Sequence, residues 1–252
     1  MRKLKSSSAP RELNAVKPAR TAAQLKADVE AAVAALKRKS SKKVRDGLVR
    51  FGLPTANALG VQMRDIQALG EKLGPDHELA EALWETGVYE ARLLVAYIGE
   101  PARLTPAQMD RWCRDFDNWG IADTLCFALF NESPHAWGRV GHWVRRKAEF
   151  EKRAGFALIA CLSHPRRPGD DALFIESLAH IERGASDERN FVKKGVSWAL
   201  RMVGRRDVAL NTASVALARR LIESEHTSAR WIGRDALKEL TSAALLRRLA
   251  AG

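Results

Sequence analysis

Three features of this 252-residue sequence predict an all-α protein, an α-solenoid of stacked antiparallel helix pairs. Apolar residues recur at steps of three and four, and no run alternates apolar and polar in the manner of a half-buried strand. Short breaks of Gly, Pro, Asn, Asp and Ser punctuate the pattern, as at Gly74–Pro75, Gly99–Glu100–Pro101, Ser133–Pro134 and His164–Pro165. The helix pairs so defined recur about every 35–45 residues, as in helical repeat arrays.

Taken in order, residues 1–20 hold three successive serines, two prolines and scattered lysines and arginines without helical periodicity. They read as a disordered basic arm preceding one helical-repeat domain over 21–252. Thr21 is the expected N-cap of the first helix, with Gln24 three residues on, and Leu25, Val29, Val33 and Leu36 form its apolar face. Ser41 to Arg50 reads as a second, basic helix ending at Phe51–Gly52. Helical stretches follow at 62–73, 76–86, 88–98, 106–118, 119–130, 136–147, 149–163, 171–182, 188–204, 207–223, 228–239 and 241–250. About fourteen short helices with tight turns fit HEAT-like repeats, whose curvature makes a concave face suited to a duplex. A compact, irregular helical globule is the competing architecture.

Composition narrows the function. Hydrophobic residues at 46% and charged residues at 29% suit a globular chain. No stretch approaches the ~20 apolar residues of a membrane span, and the first twenty residues lack a signal-peptide core. Cys113, Cys126 and Cys161, odd in number and embedded in apolar helical patterns, argue against a disulfide scaffold and for a reducing cytoplasm. In a bacterial cell that expectation becomes a nucleoid association. The net charge of +12 is uneven. Residues 1–50 hold 14 lysines and arginines against 4 acidic residues, residues 51–100 hold 3 against 8, and residues 201–252 hold 10 against 5. Basic ends attract a polyanion such as DNA or RNA, or simply solvate the chain.

Three places carry candidate chemistry. Asp123 has Phe116, Trp119, Gly120, Cys126, Phe127 and Phe130 at helical spacing, four of them aromatic and none charged. A carboxylate there either caps or pairs structurally, or stands against an aromatic wall to steady a developing cation or position water. Lys194, Trp198 and Arg201, spaced by four and three, share a helix face in Phe191–Val–Lys–Lys–Gly–Val–Ser–Trp–Ala–Leu–Arg201. A tryptophan between cations can stack on a sugar or base while the cations hold phosphates, though Phe191, Gly195, Trp198 and Met202 also make a core-like stripe. Arg153 follows Glu149–Phe–Glu–Lys and precedes an apolar run, so it reaches a phosphate or pairs with Glu149 one turn back. Trp84, Trp112, Trp137, Trp143 and Trp231 fit amphipathic stripes and read as packing residues. The six histidines make no metal-site spacing, and neither a phosphate-cradling Gly-rich loop nor a nucleophile elbow is present.

Asn118–Trp–Gly–Ile–Ala–Asp123, Glu151–Lys–Arg–Ala–Gly–Phe156 and Lys194–Gly–Val–Ser–Trp–Ala–Leu–Arg201 occur in the order and at the separations that resemble the AlkD-like DNA alkylation repair proteins. Phe51–Gly52 and Ala58–Leu–Gly–Val61 resemble that family's early segment, and the likeness runs from about residue 40 onward. The resemblance implies HEAT-like repeats wrapping duplex DNA in a basic concave groove, and a monofunctional glycosylase for N3- and N7-alkylated purines that works without flipping the lesion. It implies that Trp119 and Trp198 contact deoxyribose, Asp123 is the catalytic carboxylate and Arg153 binds phosphate. Gly120–Ile–Ala is less polar than the family's equivalent stretch, and no residue is placed as the aromatic of its early helices.

The expected partner is double-stranded DNA, especially alkylated DNA, bound by a monomer with no metal, cofactor or membrane. Lys193, Lys194 and Arg201, with Lys42, Lys43 and Arg45 of the basic segment 37–50, complete the expected phosphate footprint with Arg153. Two alternatives remain on the residues: a HEAT-like protein that binds damaged or branched DNA without excision, and a protein–protein scaffold.

Overall fold

In the structure, a computed structural model, residues 20–167 and 169–251 are described. The expected disordered segment falls on 1–19, outside them. Its last residue, Arg20, belongs instead to the folded body, where it donates to Asp28 Oδ2 at 3.0 Å and pairs with Asp76 and Glu78.

Fourteen α-helices are described, with no strand among the described residues. They are α1 (Ala22–Lys37), α2 (Lys42–Leu48), α3 (Met63–Leu73), α4 (His77–Trp84), α5 (Tyr89–Ile98), α6 (Pro106–Arg114), α7 (Trp119–Ala128), α8 (Ala136–Trp143), α9 (Glu149–Leu162), α10 (Asp171–Gly184), α11 (Asn190–Val203), α12 (Val208–Ile222), α13 (Thr227–Leu240) and α14 (Ala243–Ala250). Local chemistry sets many of the starts. Thr21 and Gln24 form the expected capping box, and Ser41, Asp76, Thr105, Asn118, Asp207 and Ser242 each accept an N–H of their helix's first turn.

The helices form two layers. α3, α5, α7, α9, α11 and α13 pack side by side in that order, while α4, α8, α10 and α12 back them from the other side. α9 is the centre of this stack, and every residue from Arg153 to Leu162 is buried. This continuous layer, each helix touching only its neighbours, is the α-solenoid expected from the sequence.

An aromatic spine fills the space between the layers. Trp84 stacks on Trp112 at 5.1 Å between centroids, and Phe116, Phe130 and Trp143 continue the chain of ring contacts. The indoles of Trp84 and Trp143 donate to Asp115 and Asp110, so these two N–H groups keep partners at the rim. Trp137 packs edge-on against Phe174. Trp231 departs from the packing role expected of it, for it lies on the surface of α13. Cys113, Cys126 and Cys161 are free and buried, and burial pushes all three thiols up, away from the reactive thiolate.

α2 stands apart, with no buried residue. It is held through the loop that follows it. The Glu90 carboxylate, 1% exposed, accepts the backbone N–H groups of Leu59, Gly60 and Val61 at 2.8, 2.7 and 3.1 Å. Gly60 sits at φ +82°, and its carbonyl accepts the Ser41 N–H at 3.0 Å. A Cβ there would come within 2.3 Å of the Ser41 carbonyl, so glycine is required. Glu90 thereby fixes the start of α2 and, beyond it, the 3₁₀ turn Val49–Phe51.

Candidate nucleic-acid interface

Asn118 ends the preceding bend and starts α7 by accepting the Ile121 N–H, which makes Trp119 the first residue of that helix. Phe116 is therefore off the helix, and Phe130 lies beyond its end. Both belong to the aromatic spine rather than to a wall around Asp123. Phe127, one turn past Asp123, is 63% exposed. The aromatic enclosure expected around Asp123 is thus absent, because the helix is shorter than the periodicity suggested.

Asp123 instead has a partner from the next helix of the layer. Arg153 Nε donates to its Oδ1 at 2.9 Å and Nη2 to its Oδ2 at 2.7 Å, a two-pronged pair. Arg153 Nη1 donates to the Phe191 carbonyl at 2.6 Å, which ties α7, α9 and α11 together at one point. Glu149, expected as the partner of Arg153, accepts the Phe191 N–H instead. Burial raises the Asp123 carboxyl above its ordinary pKa, and Arg153 opposes that rise by charge and hydrogen bonding.

Beside this pair lies a cleft of about 520 Å³, lined by Arg50, Phe51, Gly52, Trp119, Arg153, Asn190, Phe191 and Lys194. Its elements converge from far apart in sequence. The Trp119 indole donates to the Phe51 carbonyl at 2.8 Å, joining the 3₁₀ turn to α7. Gly52, at φ +66°, lets the chain reverse against Phe191, which in turn packs on Phe150 at 5.3 Å. Phe51 is 58% exposed and offers an aromatic surface at the mouth. Arg50 and Lys194 meet no carboxylate among the described residues, and each lies over a phenyl ring, of Phe51 and Phe191 respectively. The cleft combines aromatic surfaces, cations without a carboxylate partner among the described residues and, through Arg153, a half-buried carboxylate.

The candidate residues thus divide. Trp119, Arg153 and Lys194 line the cleft, and Asp123 lies behind it through Arg153. Trp198, one turn beyond Lys194, is half-buried against the core and outside the cleft lining. Arg201 is engaged by Glu239 at 2.8 Å and Asp235 at 3.5 Å. Lys193 lies over the Trp231 ring. Lys42, Lys43 and Arg45 are exposed on α2, with Lys42 paired to Asp46 at 2.6 Å. Phe51 and Phe191 as cleft residues escaped the sequence reading, as did Glu90, whereas Arg50 is the last residue of the basic segment 37–50 expected to hold phosphates. A lone glutamate inside the apolar run Tyr89–Ile98 was the available signal for Glu90. No three His, Cys, Asp or Glu side chains gather as a metal site among the described residues. No described helix is long and apolar enough to cross a membrane.

A family model of DNA alkylation repair enzymes matches residues 32–240. The chain belongs to the DNA alkylation repair enzyme family. That span includes every cleft element, from the 3₁₀ turn to α11, and the layer through α13. Among solved structures, a protein described as one of a new family related to the HEAT-like repeat DNA glycosylases, with affinity for branched DNA structures, superposes with a TM-score of 0.69 at 17% identity. The match covers 82% of this chain and 93% of that one. AlkD2 from Streptococcus mutans gives a TM-score of 0.55 at 17% identity, over 86% and 100% of the two chains. Likeness at this identity is one of fold. No curated protein sequence matches the chain.

Proposed function

We propose that the protein is a DNA glycosylase that hydrolyses the N-glycosidic bond of N3- or N7-alkylated purines in duplex DNA. The observation that carries this reading is the Asp123 carboxylate, clamped by Arg153 directly behind an aromatic cleft whose rim cations lack acidic partners. An alkylated purine is cationic and already a good leaving group, so the catalyst need not protonate it. Bond cleavage leaves an oxocarbenium-like sugar. The Trp119 ring in the cleft offers π-density to that cation, and Asp123 offers negative charge. Asp123 also orients or deprotonates the attacking water. Arg50, Lys194 and the free N–H groups of Arg153 hold the flanking phosphates. Duplex DNA, bound without a cofactor, is the partner this chemistry needs.

Binding without excision is the second reading. Arg153 supports it, because a two-pronged guanidinium neutralises much of the charge Asp123 would lend to a cation. The structural neighbour with affinity for branched DNA structures supports it too. Incubation with duplex DNA carrying N7-methylguanine separates the two. Release of free N7-methylguanine, leaving an abasic site, is expected. Tight duplex binding with no base released from any alkylated duplex would overturn the glycosylase assignment.

A further inference from the structure

Trp231 is 38% exposed on α13 and takes no place in the core. A partly exposed tryptophan flanked by cations offers a stacking face beside charges that can hold phosphates. Lys193 Nζ stands 5.1 Å from the centre of its ring. Lys193 precedes Lys194, which lines the cleft, so α11 carries the two places on adjacent residues. On α13, Arg234 and Lys238 follow Trp231 at helical spacing, are exposed, and have no carboxylate partner among the described residues. The acids nearby are committed elsewhere. Asp235 accepts the Ser197 hydroxyl at 2.5 Å and faces Arg201, and Glu239 takes Arg201 and Arg205. Glu188 accepts the N–H and hydroxyl of Ser228. The α11–α13 edge therefore presents one aromatic ring and three cations that meet no carboxylate among the described residues.

We propose that Trp231, with Lys193, Arg234 and Lys238, is a binding platform for an unpaired nucleotide next to the cleft. The proposal rests on DNA being the partner and not on excision. An aromatic face amid cations matches the way single strands are held, with a base stacked on the ring and phosphates held by the charges. A paired stack hides its base faces, so phosphate contacts to intact duplex would use the cations and leave the ring idle. The ligand is a strand that leaves a duplex beside the site bound in the cleft.

The test compares a blunt duplex with the same duplex carrying a single-stranded thymidine overhang, using the full chain. Wild type is expected to bind the overhang probe about tenfold more tightly. Trp231→Ala should abolish that preference and leave blunt-duplex affinity unchanged, with the fold checked by thermal unfolding. Trp231→Phe should keep part of the preference. Arg234→Ala with Lys238→Ala should flatten the salt dependence of overhang binding by roughly one to two in the log–log slope. Equal affinity of wild type for both probes would overturn the platform, as would a Trp231→Ala variant that weakens both probes alike. If Trp231→Ala fails to fold, Lys193→Ala must lower the overhang preference for the platform to stand. An excising protein with no overhang preference would refute the platform and spare the glycosylase. A protein that prefers the overhang without excising would do the reverse.

Discussion

Arg153 grips the Asp123 carboxylate with two parallel hydrogen bonds across thirty residues of sequence, at 2.9 and 2.7 Å, while its third engaged donor reaches the Phe191 carbonyl. The carboxylate and the arginine to which the family resemblance assigns catalysis and phosphate binding are therefore one unit here. Arg153 is 7% exposed, so it cannot leave that pair without abandoning a buried charge.

Asp123→Asn is expected to cut excision of N7-methylguanine by about 10²-fold or more, the scale of losing one preorganised charge. Because Arg153 loses an acceptor, it should also cost about 1–3 kcal/mol of stability, read as a lower denaturation midpoint. Duplex binding should survive. Combined with Arg153→Ala, the losses should be far from additive, since either change alone breaks the unit. Additive losses in rate and stability would show the two side chains to be independent.

Excision should also carry an acid limb above the ordinary carboxylate range. Burial holds the Asp123 carboxyl above its usual 3.8, so protonation begins at a higher pH than for an exposed aspartate. The ionised form is the active one, hence the rate falls as pH drops through the raised pKa and is restored above it. Single-turnover rates against pH should show this limb in wild type and lack it in Asp123→Asn. A wild-type profile that stays flat down to pH 4 would remove Asp123 from the chemistry.

Phe51→Ala should lower duplex affinity by about tenfold with a stability change within about 0.5 kcal/mol. The ring is 58% exposed at the mouth of the cleft, so its loss removes an apolar contact face for the duplex backbone rather than core packing. Equilibrium binding and thermal unfolding, measured side by side, decide this. Unchanged affinity would leave the mouth of the cleft without a role.

Glu90→Gln should destabilise the fold by about 2–3 kcal/mol, because an amide cannot accept three converging N–H groups with both of its polar atoms. The thermal midpoint should fall by about 5–10 °C. Excision by the folded fraction should drop as well, since Glu90 acts as a positioning residue for α2 and Phe51. A variant with wild-type Tm would mean that water or another group satisfies the loop.

The sequence by itself determined the succession of helices and most of their boundaries. That information is local: the 3.6-residue period, caps such as Thr21, Asn118 and Asp207, and breakers such as Gly99–Glu100–Pro101 act within a few residues. The ordered motifs around Trp119, Arg153 and Trp198 were legible for the same reason, and they led to the family. Partnership was not legible. Asp123 and Arg153, Trp119 and Phe51, and Arg201 and Glu239 meet across 30, 68 and 38 residues, and no local pattern records which neighbour a side chain faces once helices pack. Nor could periodicity tell a core tryptophan from Trp231, since both occupy an amphipathic stripe. Only the stacking of α11 on α13 decided that its ring would stay partly exposed beneath a lysine.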